Sequence, residues 1–357
     1  MTLSDIANIR LTNQQLAGTN LKTAKEMVGW MGAMQAQDYA MSKWAVGIRL
    51  PNSTDKLIQT AIAKGEIIRT HLLRPTWHLV SADDVHWMLQ LTGPRVKAFM
   101  RSRIKQLELT EDIFSKSSAI IENALAGHNH LTRDELMVKV NEANINTDDL
   151  RGLHLMLRAE LDGIICSGVT RNKEQTYALL EERVSKTGTF NEDEALGKLA
   201  RRYFASHGPA TLADFVWWSG LSVTDAKRGF EMVKSGFVAE TIGKQTFWMS
   251  NSIIVPEAHP KSVYLLPAFD EFIISYTDRT AAIVAELQHK AFTTNGIFKP
   301  VIVENGRVTG IWKRTVKKDK VTIETAYFKP QSQAAMNRVA KAAKSFGDFL
   351  DKRTEII

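Results

Sequence analysis

The sequence predicts an α+β protein in which one helical pattern occurs three times before a region rich in β-structure. In each of three segments, a helix is followed by two further helices and then by two short β-like stretches around a turn. The last hundred residues instead read as a β-meander closed by a helix. The chain has 357 residues, which is long enough for two to four domains.

The third segment has the clearest version of the pattern. An amphipathic helix at Glu194–Phe204 ends at His207-Gly208-Pro209, and Thr211 to Asp214 has the spacing of a capping box at a helix start. The next helix is predicted from about Ser222 to Met232. Two short strands are predicted around Gly243, at 235–239 and 245–249.

The middle segment follows the same order, and the first segment follows it less clearly. In the middle segment 131–135 opens the second helix, 153–161 lies in the third, and strands are predicted at 162–166 and 175–179. The corresponding strands of the first segment are predicted at 64–68 and 77–80. Helix, helix, helix and hairpin is the winged-helix plan, a helix-turn-helix with a β wing.

The C-terminal region does not repeat this pattern. A strand is predicted within 263–269, and a meander at 300–328 is organised by the Asn305-Gly306 turn and a lysine-rich turn at 317–320. A closing helix from about 331 to 350 is predicted to pack through four apolar residues: Ala334, Met336, Val339 and Phe346. The pattern therefore divides the chain into four units, at 1–108, 109–188, 189–256 and 257–357.

Composition and charge limit the class of protein. Apolar residues make up 44% and charged residues 24%, no apolar run reaches the roughly 20 residues of a membrane span, and the start has no export signal, so we expect a soluble cytoplasmic protein. Cys166 is the only cysteine, which excludes an internal disulfide and favours a small buried hydrophobe. The net charge is +7, and 307–357 has twelve Lys or Arg against five Asp or Glu, a surplus of seven. This surplus suits a polyanionic partner, although a solvated face would have the same composition.

Three winged helices in one chain suggest a concave surface around one stretch of double-stranded DNA. A single chain of unequal units also favours a monomer associated with the nucleoid. Phosphate contacts are expected from lysine and arginine. The predicted DNA-contacting residues are Arg69, Arg74, His78, Lys173, Lys244, Arg314, Lys317 and Lys318.

The stretch Met34-Gln-Ala-Gln-Asp38 follows a helix-like row in which Gln35 would occupy a buried position. A buried amide without a partner costs about 1–3 kcal/mol, so Gln35 needs one. Residues two apart point about 200° apart on a helix but share one side of an extended chain. We therefore expect the helix to end near Gln35 and the chain to run extended through Gln37, so that both amides converge.

Four motifs carry a resemblance to a known family. Gln35-Ala36-Gln37, Arg74 to Val80, Leu266 to Glu271 and Tyr276 to Arg279 resemble the bacterial winged-helix DNA glycosylase family typified by AlkZ, whose members excise alkylated bases and unhook interstrand crosslinks. The resemblance implies that Gln35 and Gln37 are the catalytic residues. Where the family often has Gly-Thr-Leu-His, this chain has Pro75-Thr-Trp-His78.

The two glutamines suit a restricted kind of glycosidic bond cleavage. An N7-alkylated purine is already cationic, so it leaves without a general acid, and the sugar passes through an oxocarbenium-like state. A glutamine amide does not titrate usefully, but it can orient water and turn its carbonyl dipole towards the developing cation. The expected activity is therefore a monofunctional glycosylase that leaves normal guanine intact. Asp38 could deprotonate the water, but a cap at the next helix is the favoured role.

Other polar residues leave their roles open. Asp270, Glu271, Tyr276 and Arg279 could form a polar cluster near the concave face or an ion-pair network between domains. Trp217-Trp218 fits core packing better than base stacking. The three histidines His71, His78 and His86 lack the partners of a zinc motif, and we find no phosphate-binding glycine loop, so neither metal nor cofactor is expected.

Two non-enzymatic functions remain as alternatives at the level of sequence. One is a winged-helix transcription regulator, which would bind a specific operator. Regulators usually present two-fold symmetric recognition helices, whereas this chain offers unequal units. The other is an architectural protein, or a partner of a nuclease, that recognises distorted duplex without cleaving it.

Overall fold

The computed structural model describes residues 1–186, 188, 190–252 and 262–357. Its strands are short outside the C-terminal region. The helices are α1 (Leu3–Asn13), α2 (Ala24–Met31), α3 (Tyr39–Gly47), α4 (Asp55–Ala63), α5 (Val85–Gln106), α6 (Glu111–Leu125), α7 (Arg133–Glu142), α8 (Arg151–Leu161), α9 (Leu180–Arg183), α10 (Glu192–His207), α11 (Leu212–Ser219), α12 (Val223–Glu231), α13 (Glu271–Ile274), α14 (Gln288–Ala291) and α15 (Gln333–Phe349). The strands are β1 (Ala33–Gln35), β2 (Ile67–His71), β3 (Trp77–Ser81), β4 (Leu131–Thr132), β5 (Ile165–Ser167), β6 (Thr176–Leu179), β7 (Phe237–Ile242), β8 (Gln245–Ser250), β9 (Val263–Leu266), β10 (Val301–Glu304), β11 (Arg307–Val316), β12 (Lys320–Tyr327) and β13 (Arg353–Ile356).

The same capping chemistry opens one helix in each of the three repeated segments. Thr23, Thr132 and Thr211 each accept a hydrogen bond from the backbone amide three residues on, and the acidic residue there bonds back to the threonine amide. Each box satisfies two backbone donors that would otherwise be free at a helix start. The predicted starts of α7 and α11 are confirmed.

The three segments also share a strand order. The first sheet runs β1-β3-β2 and the second β4-β6-β5, so in both the short leading strand pairs with the last strand of the hairpin. In the third segment β7 pairs with β8, and the bridge between Ala210 and Trp248 stands where a leading strand would pair. The hairpins predicted in all three segments are therefore confirmed, with ends shifted by a few residues.

The helix before the Gln-Ala-Gln stretch ends earlier than predicted. α2 ends at Met31, because Gly32 adopts φ +80°, a conformation that a residue with a side chain rarely takes. Gln35 is therefore the last residue of β1 rather than part of a helical face. The predicted extended course through Gln37 is confirmed up to Ala36, whose amide donates to the carbonyl of Trp77 at 2.7 Å.

The C-terminal sheet has the order β13-β12-β11-β10-β9. The predicted meander around Asn305-Gly306 is confirmed, but β13, which pairs in parallel with β12, was missed. α15 packs through Ala335, Val339, Ala343 and Phe346. Ala334 and Met336 are exposed, so the prediction was wrong for those two residues, which lie about 100° to either side of this row.

The apolar clusters place the first segment at the centre of the molecule. One cluster joins α2, α3 and α4 to the C-terminal sheet and α15, and another joins β2, β3 and α5 to α10, α11 and α12. The middle segment has its own cluster around α6, α7 and α8. Cys166 is buried, as predicted. Within the described ranges, no helix has the length and apolar character needed to cross a bilayer.

Candidate active site

The Gln35–Gln37 segment lies at the edge of the first sheet and is held by its backbone. The backbone amide of Gln35 donates to Glu271 Oε1 at 2.7 Å, and the backbone carbonyl of Ala36 accepts from Arg69 Nε at 3.1 Å and Nη2 at 2.9 Å. The backbone amide of Ala36 donates to the Trp77 carbonyl, so the two amides and the Ala36 carbonyl all have fixed partners. The methyl group of Ala36 is buried, and the chain bends at Gln37, the residue after it.

The two glutamines differ in exposure and in partners. Gln35 is 6% exposed, and its Oε1 accepts a hydrogen bond from Arg74 Nη2 at 3.1 Å. Gln37 is exposed, and its Oε1 lies 3.4 Å from the amide of Trp77. The buried amide thus has the partner that its position requires, while the second amide is open to a ligand.

Arg74 adopts a backbone conformation that non-glycine residues rarely take. Its φ is +55°, which costs on the order of 1–3 kcal/mol and persists only where the surroundings impose it. Burial lowers the pKa of its guanidinium, and the nearby Glu271 acts against that decrease. The guanidinium of Arg74, a residue predicted to contact phosphate, donates to the side-chain carbonyl of Gln35 and polarises it, and the phosphate contact stays a prediction.

Glu271 is the buried anion behind this segment. Besides the bond from the backbone amide of Gln35, Glu271 accepts hydrogen bonds from Trp218 Nε1 at 3.1 Å and from the Ser275 hydroxyl. His207 Nε2 lies 3.6 Å from Glu271 Oε2. Burial opposes ionisation, but His207, Ser275 and the Gln35 amide outweigh it and lower the pKa of Glu271 to about 2. Burial lowers the pKa of His207. A fixed negative charge therefore lies beside β1 at neutral pH.

His78 pairs with Gln35 in the sheet and is fully buried. Its Nδ1 bonds to the Thr76 carbonyl at 2.9 Å, which requires Nδ1 to carry the proton, so Nε2 is an acceptor. Burial, helped by the nearby Arg74, lowers the pKa of His78 to about 3. A neutral, inaccessible imidazole does not fit the predicted DNA contact, and His78 instead supports the sheet behind Gln35.

The low pKa of His78 predicts a loss of stability in mild acid. Below pH 6.5 the unfolded chain takes up a proton at this residue, whereas the folded chain does not until about pH 3. Stability is therefore present above pH 6.5 and falls towards pH 3, by about 2 kcal/mol at pH 5. Urea unfolding at about pH 7.5 and pH 5 measures the change in stability between the two pH values, and this change should be about 2 kcal/mol smaller for His78→Asn than for the wild type. His289→Asn, at an exposed position, should follow the wild type, and parallel curves for His78→Asn would contradict the assignment.

Asp270 and Tyr276 belong to a buried network rather than to an open site. Asp270 forms two 2.8 Å contacts with Arg49, and neither side chain is exposed. The Tyr276 hydroxyl donates to the His207 carbonyl at 2.7 Å, and the Arg10 guanidinium lies 3.5 Å from the centre of its ring. Of the two roles left open for these residues, the structural network is confirmed for Asp270 and Tyr276.

The two adjacent tryptophans have different environments. Trp218 is fully buried, as predicted for core packing, but Trp217 is 41% exposed, so the prediction was wrong for it. The Trp217 indole donates to the Ile274 carbonyl at 2.8 Å. The guanidinium of Arg74 lies 5.5 Å and that of Arg279 5.7 Å from its ring centre. An exposed aromatic ring thus lies next to the partner of Gln35, and sequence alone did not distinguish it from its neighbour.

The remaining predicted cations differ in how far they are exposed. Arg69 is 5% exposed and bonded to Ala36, with its guanidinium 4.2 Å from the Trp77 ring, so its burial excludes the predicted phosphate contact. Arg314 lies 3.4 Å from Asp38 and is partly exposed. The exposed cations lie in turns between paired strands: Lys173, Lys244, Lys317 and Lys318.

Asp38 has the predicted capping role. Its Oδ1 accepts from the Met41 amide at 3.1 Å at the start of α3.

Among the residues that the structure describes, no group of three or more His, Cys, Asp or Glu side chains is arranged to hold a metal ion. The chemistry available at the site is therefore that of two amides, a guanidinium and a buried carboxylate.

Comparison with known proteins identifies the family of the chain. The chain is 23% identical over 327 residues, covering 85% of both chains, to an interstrand DNA cross-link repair glycosylase of Streptomyces sahachiroi. Its fold matches the structure of the Streptomyces sahachiroi DNA glycosylase AlkZ with a TM-score of 0.83 at 18% identity, over the full length of both chains. The family model described as DNA glycosylase AlkZ-like matches residues 28–349, which include the Gln-Ala-Gln segment and the C-terminal sheet. The chain therefore belongs to the AlkZ-like DNA glycosylase family.

Proposed function

We propose that this protein is a monofunctional DNA glycosylase that hydrolyses the N-glycosidic bond of N7-alkylated or crosslinked purines, with Gln35 and Gln37 as the catalytic pair. The observation that carries the proposal is the fixed backbone of Gln35 and Ala36 at the edge of a sheet, directly before Gln37, in a chain of the AlkZ-like family. A rigid support of this kind is what catalysis by positioning requires.

We infer that the three repeated segments are winged helices that act together on one duplex. The shared strand order and capping boxes support this, as do the exposed lysines in the turns between paired strands. Because the three units of one chain supply an extended surface without a partner subunit, we propose a monomer that is associated with the nucleoid through DNA.

The proposed chemistry needs neither metal nor cofactor. Departure of a cationic purine leaves positive charge on the deoxyribose, and the carbonyl dipoles of the glutamines, backed by the Glu271 carboxylate, stabilise that charge. The open amide of Gln37 holds the water that attacks the sugar. Because Gln37 is exposed, a crosslinked purine can reach it without entering a closed pocket. The relative named for interstrand cross-link repair supports the inclusion of crosslinked purines.

The test is release of a damaged base. The protein is incubated with duplex DNA containing one 7-methylguanine, free base is measured by chromatography, and abasic sites are measured by alkaline strand cleavage. We expect base release with no strand cleavage before alkali, and separation of the strands of an N7-linked guanine crosslink. Duplexes containing only guanine or uracil should remain intact, because these neutral leaving groups need a general acid that the glutamine pair does not supply.

The assay also separates the proposal from the non-enzymatic alternatives. If several N7 lesions yield no abasic product while the protein binds duplex tightly, the enzymatic assignment fails and a DNA-binding role replaces it. Cleavage of neutral bases at comparable rates would also contradict the proposal, since it would require an acid elsewhere in the site.

A further inference from the structure

Helix α5 carries a row of exposed residues next to the candidate active site. α5 contains five Lys or Arg and no Asp or Glu over its 22 residues. Arg95, Phe99 and Arg103 follow one another at intervals of four, which places them on one face over about 12 Å. The neighbouring side of the helix packs Val96 and Met100 against α8, whereas Arg95, Phe99 and Arg103 are all exposed. This face, called the α5 row below, is therefore directed away from the protein.

Phe99 is an unusual residue for such a face. It is 76% exposed, and it lies one turn after Arg95 and one turn before Arg103. A lone exposed apolar residue needs no explanation. A phenyl ring between two guanidinium groups on a helix without acidic residues, however, combines the two contacts that nucleic acid offers, an anionic backbone and apolar sugar and base surfaces.

The α5 row is connected to the candidate active site by direct contacts. Arg95 Nε donates to the Gly220 carbonyl at 2.9 Å. Gly220, at φ +70°, packs closely against Arg74, because a Cβ atom there would lie only 3.2 Å from Cγ of Arg74. Arg74 in turn holds Gln35. Arg95 is therefore connected to Gln35 through Gly220 and Arg74.

We propose that the α5 row binds the duplex flanking the lesion, with Arg95 and Arg103 on phosphates and the Phe99 ring packed against the exposed sugar and base edges between them. This inference rests on the proposed function only in taking DNA as the substrate. The charge of α5 and its continuity with the site favour DNA over an apolar protein partner, which would leave the cations desolvated and unpaired.

The same helix supplies a matched control. Lys97 has the charge of a phosphate ligand, but its Nζ forms a 2.6 Å ion pair with Asp162 on α8, away from the α5 row. If the positive charge of α5 mattered only in total, removing Lys97 or Arg103 would have the same effect. If the α5 row makes specific contacts, only Arg103 matters.

The experiment measures affinity for an undamaged duplex and for the same duplex with one abasic site by fluorescence anisotropy. The salt concentration is varied from about 50 to about 300 mM, because ionic contacts weaken with salt and apolar contacts do not. Phe99→Ala should weaken binding about tenfold without changing the salt dependence, and Phe99→Trp should restore it. Arg103→Ala should weaken binding and reduce the slope of log affinity against log salt by about 1. Lys97→Ala should stay within about twofold of the wild type.

The outcomes decide between this inference and its alternatives independently of base release. Equal effects of Lys97→Ala and Arg103→Ala, or unchanged affinity of Phe99→Ala, would overturn the proposal even if the protein releases 7-methylguanine normally. Conversely, the predicted changes in binding would support it even if no base were released. Because Phe99 is exposed, its variants should unfold at the wild-type temperature, and a lower temperature for Phe99→Ala would mean that the ring packs within the protein and would contradict the proposal.

Discussion

Replacement of Gln35 by alanine is expected to reduce the rate of 7-methylguanine release by about 100-fold or more, the usual loss when one preorganised dipole is removed from a site. Gln35 is almost fully buried and its carbonyl is polarised by Arg74, so neither water nor a neighbouring side chain can replace it. Duplex affinity should stay close to that of the wild type, because the amide acts on charge that develops only in the transition state. Single-turnover release with excess enzyme measures the effect on the bond cleavage itself.

Gln333→Ala removes an exposed glutamine from α15 and should leave the rate unchanged, which controls for the substitution type. Gln37→Ala should also slow release, and the double variant should be little slower than either single variant, since residues that act as a unit are not additive. If Gln35→Ala lost affinity and rate by the same factor, Gln35 would be a binding residue, and the catalytic assignment would fail.

A change at the second glutamine tests the role of the non-titrating amide. The wild-type rate of release should not change through titration of Gln35 or Gln37 between about pH 5.5 and 8, because an amide stays neutral over that range. Gln37→Asp should keep the activity, because a carboxylate can both orient water and stabilise the sugar cation, but it should introduce a loss of rate as the pH falls towards about 4. A variant with the wild-type pH profile would show that the residue at 37 does not contact the attacking water.

Local patterns in the sequence were enough to predict several helix starts and hairpins. A threonine followed three residues later by an acidic residue determines a helix start by short-range bonds, so α7 and α11 begin where the pattern indicated. The hairpins were predictable for the same reason, since alternation and turn residues act over a few positions. The extended course as far as Ala36 was predicted because two amides two residues apart share a side only on an extended chain.

Features that depend on distant neighbours could not be predicted in this way. Arg69 reads as a surface cation in sequence, but the Ala36 carbonyl and the Trp77 ring make its burial favourable. Trp217 and Trp218 are equally apolar, and only the packing of α11 decides that the first is exposed. β13 lacks a clear alternation of buried and exposed residues, and it is held by its backbone pairing with β12 and by the ion pair between Lys320 and Glu355. In each case a contact more than thirty residues away, rather than local propensity, determines the result.

A contact over an even longer distance supports the candidate active site. Arg49 and Asp270 are 221 residues apart, and their side chains meet without solvent exposure. Arg49 also donates to the Gln14 carbonyl at 2.9 Å, to Gln14 Oε1 at 3.1 Å and to the Ala45 carbonyl at 2.8 Å, so all five N–H groups of the guanidinium are bonded. Asp270 accepts from the Phe272 amide at 2.9 Å and caps α13, the helix that begins with Glu271. The pair therefore positions the carboxylate that holds the Gln35 backbone.

Asp270→Ala is expected to lower the free energy of unfolding by about 3–5 kcal/mol, because it leaves the Arg49 charge buried without a partner. Urea unfolding at pH 7 measures the loss. Asp348→Asn, which breaks the exposed ion pair with Lys344, should have no measurable effect. The double variant Arg49→Met with Asp270→Leu should recover part of the loss, since two apolar side chains of similar volume do not leave a buried charge. If Asp270→Ala were as stable as the wild type, the charge of Arg49 would have to reach water in the folded protein, and the pair could not fix the start of α13. In that case Glu271 would lose the support that holds it against β1, and the rigid Gln35–Gln37 backbone would need another explanation.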